Sequence, residues 1–202
     1  MSEPVAPTEL ANLTLDLIKT ENIEDVVDVE GDPIASVLNR WYDISKRKCL
    51  EGFPWIFATT RAAIPLVSPA PAFGYTDQYR LPSDFVSLNF IDDESLPLDK
   101  TDYQIEENNL LIDNGGATSL NIGYVRNSTD IAKWTAAFRI YVAYQLAYFT
   151  VFALTGQNQT TTRIQNQLTK HMTEAKAING LLSPPRAYRE SRMITGRRLY
   201  RS

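Results

Sequence analysis

Six prolines, at positions 54, 65, 69, 71, 82 and 97, are spread through residues 53–127 and limit the fold more than any other feature of the chain. A proline lacks the amide donor that a helix needs and its ring clashes with the preceding turn, so no long helix fits there. Apolar residues in this stretch come in short runs, Ala63–Val67, Phe85–Ile91, Tyr103–Ile105, Leu110–Ile112 and Leu120–Val125, which is a strand pattern. Asp113-Asn114-Gly115-Gly116, between two of the runs, consists of residues that tolerate positive φ and is expected to form a hairpin turn. Tyr79–Val86 reads as strand, Pro-Ser-Asp turn and strand. Residues 60–128 are thus expected to be a small antiparallel β domain.

Helical patterns lie on either side. Leu10, Leu13, Leu17 and Ile18 recur at helical spacing after Thr8, and an acidic connection, Glu21–Gly31, follows. Asp32-Pro33 is a start signal, because Asp accepts from the orphan first-turn amides and Pro at the first position lacks only a donor that would go unpaired. A helix over about 33–51 then carries Ile34, Val37, Leu38, Trp41 and Ile44 on one stripe and Arg40, Asp43 and Arg47 opposite, with Gly52 as the stop. Trp55 and Phe57 alternate with Ile56 as in a strand leaving that helix, which would anchor it to the β domain. A third helix is expected from Thr129 or Asp130 to Gly156. Trp134, Phe138, Tyr141, Tyr144, Tyr148 and Phe152 help to make it apolar nearly all round, so it needs cover on every face, and a subunit interface would supply what one small domain cannot. The fourth helix, opening at Asn158 or Thr160–Thr162, carries Ile164, Leu168, Met172, Ala175 and Ile178 and ends near Gly180, before Pro184-Pro185.

The expected class is α+β: a four-helix body formed by residues 1–59 and 129–182, an inserted antiparallel β domain at 60–128, and an extended basic tail at 183–202. With 202 residues, 44% of them hydrophobic and 22% charged, the chain is long and apolar enough for a sizeable core. One cysteine and one histidine exclude an internal disulfide and a Cys/His zinc site. Met1–Pro7 has neither a basic nor an apolar targeting region. Trp134–Leu154 contains Arg139 and Gln145, and an arginine at a bilayer centre costs at least about 2.5 kcal/mol, so no membrane partner is expected.

The net charge of −4 hides an asymmetry. Residues 1–32 carry nine carboxylates and one lysine, residues 186–202 six arginines and one glutamate, and the body between is nearly neutral. Such polarity concerns partners rather than fold. Tyr188, Met193, Ile194, Leu199 and Tyr200 interleave with Arg186, Arg189, Arg192, Arg197, Arg198 and Arg201, which suits a protein groove better than bare phosphate.

Catalytic chemistry finds little support. Asp92-Asp93-Glu94 and Glu106-Glu107 border turns, and adjacent acids on a strand point to opposite faces. His171 has no nucleophile beside it and reads as a helix-surface or interface residue, and Cys49 as a small semi-buried one. Gly115-Gly116 belongs to the turn and forms no phosphate loop. No cofactor and no metal are expected.

Two segments carry a family resemblance. A helix ending in Lys46-Arg47-Lys48, then Phe53-Pro54-Trp55-Ile56-Phe57-Ala58, then Tyr79-Arg80-Leu81-Pro82-Ser83-Asp84, resembles the tail tubular protein A family, the head-to-tail adaptors or gatekeepers of short-tailed bacteriophages, in which PW-x-FA and Y-x-LP-x-D segments recur. The resemblance covers most of residues 8–182 in element order. It implies structural roles for Pro54, Trp55, Phe57, Tyr79, Leu81, Pro82 and Asp84. It further implies a ring, dodecameric in that family, between the portal protein and the tail nozzle or tubular protein, with DNA passing through without specific binding. The basic tail, Arg186–Ser202, would reach the portal. The charge asymmetry then suggests that the acidic head around Glu24 and Asp28, or the acidic loops, faces the channel, where like charge keeps DNA from sticking; the alternative is that they face outside. A virion protein of the tail that is no enzyme is the leading expectation. A cell-wall glycan hydrolase and a DNA-binding virion protein are the alternatives.

Overall fold

The computed structural model describes residues 8–18, 32–92, 103–156 and 158–182. Their class is α+β, with four helices and two small antiparallel sheets. The basic tail and the acidic segment around Glu24 and Asp28 lie outside the described residues, as do Asp93 and Glu94.

The chain divides into two compact units. One takes residues up to Thr60, Ser83–Leu88 and Tyr124–Leu182; the other takes Arg61–Pro82 and Asn89–Gly123. Segments 83–88 and 124–128, inside the span read as the insert, group with the helices.

In the helical unit, α1 (Thr8–Ile18), α2 (Pro33–Glu51) and α4 (Asn158–Leu181) surround α3 (Ala136–Thr155). Asp32 Oδ1 accepts from the Ile34 amide at 2.8 Å and the Ala35 amide at 3.3 Å, the cap expected of Asp32-Pro33. The far end differs, since Gly52 leaves at φ −73 in right-handed geometry rather than as a left-handed cap. The buried face of α2 is also turned from the expected stripe. Ala35, Leu38, Tyr42, Ser45, Lys46, Cys49 and Leu50 face inward, while Ile44 is exposed. Hydropathy misses this because Ser45 turns its hydroxyl back onto the Trp41 carbonyl at 2.7 Å and Lys46 Nζ lies 2.9 Å from Asp43 Oδ1.

Helix α3 starts later than expected. Asp130 caps a short 3-10 turn at Ile131–Lys133, and Thr135 then caps α3 through the Phe138 amide at 3.2 Å. It ends at Gly156 in the left-handed region, φ 65, as a C-terminal glycine should. Half of the α3 residues are buried within the chain, against α1, α2 and α4, while Tyr144, Tyr148 and Phe149 are half-buried and Phe152 is exposed. It is the described helix long and apolar enough to cross a membrane, yet Phe138, Val142, Leu146 and Val151 are buried in the helical core. Each such side chain contributes about 1.5–3 kcal/mol relative to exposure.

Phe53–Ala58 is not a strand. Ile56–Ala58 forms a 3-10 turn, and the Trp55 ring packs edge-on to Phe138 at 4.7 Å, so this cluster joins α2 to α3 in a core that also takes Val125, with Val86 packed against it.

The strands are β1 (Thr59–Pro65), β2 (Asp77–Arg80), β3 (Phe85–Ile91), β4 (Tyr103–Glu106), β5 (Asn109–Ile112) and β6 (Ser119–Arg126). They form sheets of order β1-β6-β3 and β2-β5-β4. Asp113–Gly116 is therefore no hairpin, because β5 and β6 belong to different sheets. The same holds for β2 and β3 on either side of the Pro-Ser-Asp turn. The true hairpin joins β4 to β5, with Glu106 opposite Asn109 and Glu107 at φ 51 in the turn.

Candidate functional site

The first resemblance segment lies inside the helical unit, whereas the second is divided, Tyr79–Pro82 grouping with the β unit and Ser83-Asp84 with the helical unit. In the helical unit, Trp55 is wholly buried, and its Nε1 donates to the Cys49 carbonyl at the end of α2 at 2.8 Å. Phe53 and Phe57 flank it, at 5.3 and 6.1 Å between ring centroids, and Phe57 also meets Phe138 at 4.8 Å. Asn179 of α4 completes the knot: its Oδ1 accepts from the Ile56 amide at 2.9 Å and its Nδ2 donates to the Pro54 carbonyl at 3.3 Å. Nothing in the sequence marks Asn179, which lies on the apolar side of an otherwise polar helix.

Tyr79 and Leu81 are buried in the β unit. Tyr79 Oη donates to the Ala117 carbonyl at 2.8 Å and accepts from Asn114 Nδ2 at 3.0 Å, while the Leu81 amide donates to the Asn108 carbonyl at 2.9 Å. Beside Tyr79, the Asp77 carboxylate accepts from the amides of Asn114 at 2.9 Å and Gly116 at 3.1 Å and from Thr76 Oγ1 at 2.9 Å. Those donors, the Gly116 amide foremost, hold its pKa below the usual 3.8. Pro82 is half-buried at the end of this segment. Asp84, in the helical unit, accepts from Tyr124 Oη at 2.9 Å, and burial, with the Asp84 hydrogen bond second, pushes the tyrosine pKa up to about 12.

Three of the carboxylates considered for catalysis, Asp92, Glu106 and Glu107, are among the described residues. Asp92 is exposed at φ 52; Glu106 and Glu107 are exposed at the hairpin, where Glu106 Oε1 accepts from Gln104 Nε2 at 2.8 Å. Among the described residues no group of three His, Cys, Asp or Glu side chains could hold a metal ion. His171 stacks on Tyr144 at 4.6 Å with Nδ1 3.1 Å from Glu174 Oε2. Cys49 is wholly buried rather than semi-buried, and burial pushes its thiol pKa up.

Of the residues assigned to an interface or core, Trp134, Phe138 and Tyr141 are core, Tyr144 and Tyr148 are half-buried, and Phe152 is 61% exposed. One turn before Phe152, Phe149 stacks on Trp41 of α2 at 5.1 Å, and Lys48 Nζ lies 5.2 Å from the Phe149 ring centroid. With Ile44 50% exposed, α2 and α3 present an aromatic and aliphatic face to solvent. In the β unit, the loop between β1 and β2 carries Phe73 at 90% exposure. An uncharged stretch from Ala62 to Thr76, with a lone Phe between Pro71 and Gly74, is the signal that marks it in the sequence. The portal-binding residues of the tail, from Arg186 to Arg201, lie outside the described residues.

No family model matches the chain, and no curated protein matches it.

Proposed function

We propose that this chain is a structural connector of a short-tailed phage virion, joining portal to tail nozzle as a ring of copies that continues the DNA channel. The reading rests on the resemblance of Phe53–Ala58 and Tyr79–Asp84 to the adaptor family. What supports it is the use to which those residues are put: Trp55 and Asn179 lock α2, α3 and α4 together, and Tyr79 and Asp77 lock the turn after β5. Segments of that kind define a scaffold, and the exposed surfaces left over, the α2–α3 face and the Phe73 loop, have the chemistry of contacts between proteins. In this reading the protein turns over no substrate, and the arginine-rich residues 186–202 grip the portal.

Electron microscopy of the purified chain mixed with its portal tests the proposal. Axial rings on the portal are the expected result, and removal of residues 186–202 abolishes them while leaving the circular dichroism spectrum unchanged. A chain that remains free of portal at every ratio refutes the connector role.

A further inference from the structure

We infer that the Phe73 loop docks into the α2–α3 face of a second copy of this chain. The inference rests on the connector reading insofar as a ring is built from copies of one subunit, and it names the contact that builds it.

The loop is already shaped for binding. Its base is fastened by the Leu66 amide to the Thr118 carbonyl at 3.1 Å, the Val67 amide to the Gln78 carbonyl at 2.8 Å and the Thr76 amide to Asp113 Oδ1 at 2.8 Å. Gln78 Nε2 also donates to the Pro69 carbonyl, and Pro69 and Pro71 fix two more φ angles. These bonds hold both ends of the loop and so reduce the conformational freedom lost on docking, and an aromatic side chain on such a frame is what interface hot spots use. Phe73 touches almost nothing in its own chain, being 90% exposed.

The second surface complements the first in two respects. Ile44 and Phe152 stand open beside the Trp41–Phe149 stack, an apolar seat for a phenyl ring. Arg40, Arg47 and Lys48 are exposed on the same helix as Ile44, with Glu51 as the nearby exposed acid. The described part of the β unit is acidic, with Asp77, Asp92, Glu106, Glu107 and Asp113 against Arg61 and Arg80, and Asp113 is bonded to the loop itself. Tip-to-tip pairing would set acid against acid, and an anionic lipid surface would be repelled likewise. Tip-to-face pairing sets acid against base. Because donor and seat are different surfaces, each copy can use both, which is the head-to-tail geometry that closes into rings.

Sedimentation velocity on the full chain, with Phe73→Asp and Ile44→Asp, decides the matter. The wild type is expected to self-associate reversibly, and each variant to do so at least about 30-fold more weakly, the effect of losing one hot spot. An equimolar mixture of the two variants forms heterodimers that grow no further, since only one intact tip–seat pair remains in each. Both variants should melt like wild type; if Ile44→Asp does not, Phe152→Ser replaces it. A monomeric wild type, a Phe73→Asp chain that associates like wild type, a mixture that stays monomeric, or binding of Phe73 to zwitterionic vesicles instead of protein overturns the inference. Rings on the portal that persist with Phe73→Asp overturn it while leaving the connector reading intact.

Discussion

Asn179 holds Ile56 across 123 residues of sequence: its Oδ1 accepts the Ile56 amide at 2.9 Å, and its Nδ2 donates to the Pro54 carbonyl. Asn179 is buried, so replacing it with leucine leaves an amide and a carbonyl without partners and without water. Asn179→Leu should lower stability by about 1–3 kcal/mol in chemical denaturation. Asn179→Asp keeps the acceptor for Ile56 but loses the donor to Pro54, and separates the two bonds. Unaltered stability in the leucine variant would mean that the knot is held by the aromatic rings alone.

Features decided within a few residues could be read from the sequence. Asp32 caps α2 and Gly156 ends α3 because cap chemistry is local, and five of the six strands match short apolar runs while the other falls in the segment around Tyr79. The α2 face was not legible, because Tyr42, Ser45 and Lys46 are buried by virtue of partners that hydropathy does not count. Trp55 and Phe57 alternate like strand residues, yet a 3-10 turn also places them beside one another. Asp113–Gly116 has hairpin composition, but which strands pair is a tertiary matter, and here β5 turns to β2 and β4. Neither candidate contact surface was read from the sequence: the uncharged flanks of Phe73 are a signal that the strand and turn patterns pass over, and the Trp41–Phe149 stack exists only once two helices are brought together.

Gly123 gives a sharper test of packing in the β unit. A Cβ added there would lie 2.1 Å from Phe90 Cε1, and the Phe90 ring is buried with the Arg61 guanidinium 5.2 Å from its centroid. Gly123→Ala should therefore cost about 1–3 kcal/mol by displacing the ring. Phe90→Leu in the same chain should recover part of that loss, seen as a coupling energy in a double-mutant cycle. Additive effects would mean that the ring swings aside freely.

Cys49 is wholly buried, and burial outweighs the Tyr141 hydrogen bond and the Lys48 charge in setting its thiol, so little thiolate exists in the native chain. A thiol reagent under native conditions should react only as fast as the helical unit opens, and its rate should rise with denaturant. Rapid stoichiometric labelling without denaturant would contradict the packing of α2 on α3 at this position.

Acid should loosen the β unit through Asp77. Its carboxylate accepts from Gly116, Asn114 and Thr76, and these donors favour the charged form, so the folded pKa lies below the ordinary 3.8 of the unfolded chain. The unfolded chain then takes up a proton first as the pH falls. The stabilisation from Asp77 is complete above 3.8 and is lost as the pH drops through the lower folded value. Asp77→Asn puts an amide group against backbone donors and should be less stable than wild type at neutral pH. The gap between the two denaturant midpoints should narrow once the pH falls below the ordinary carboxylate value. A gap of constant size from neutral pH into strong acid would show that the shape of the side chain, not its charge, holds the turn.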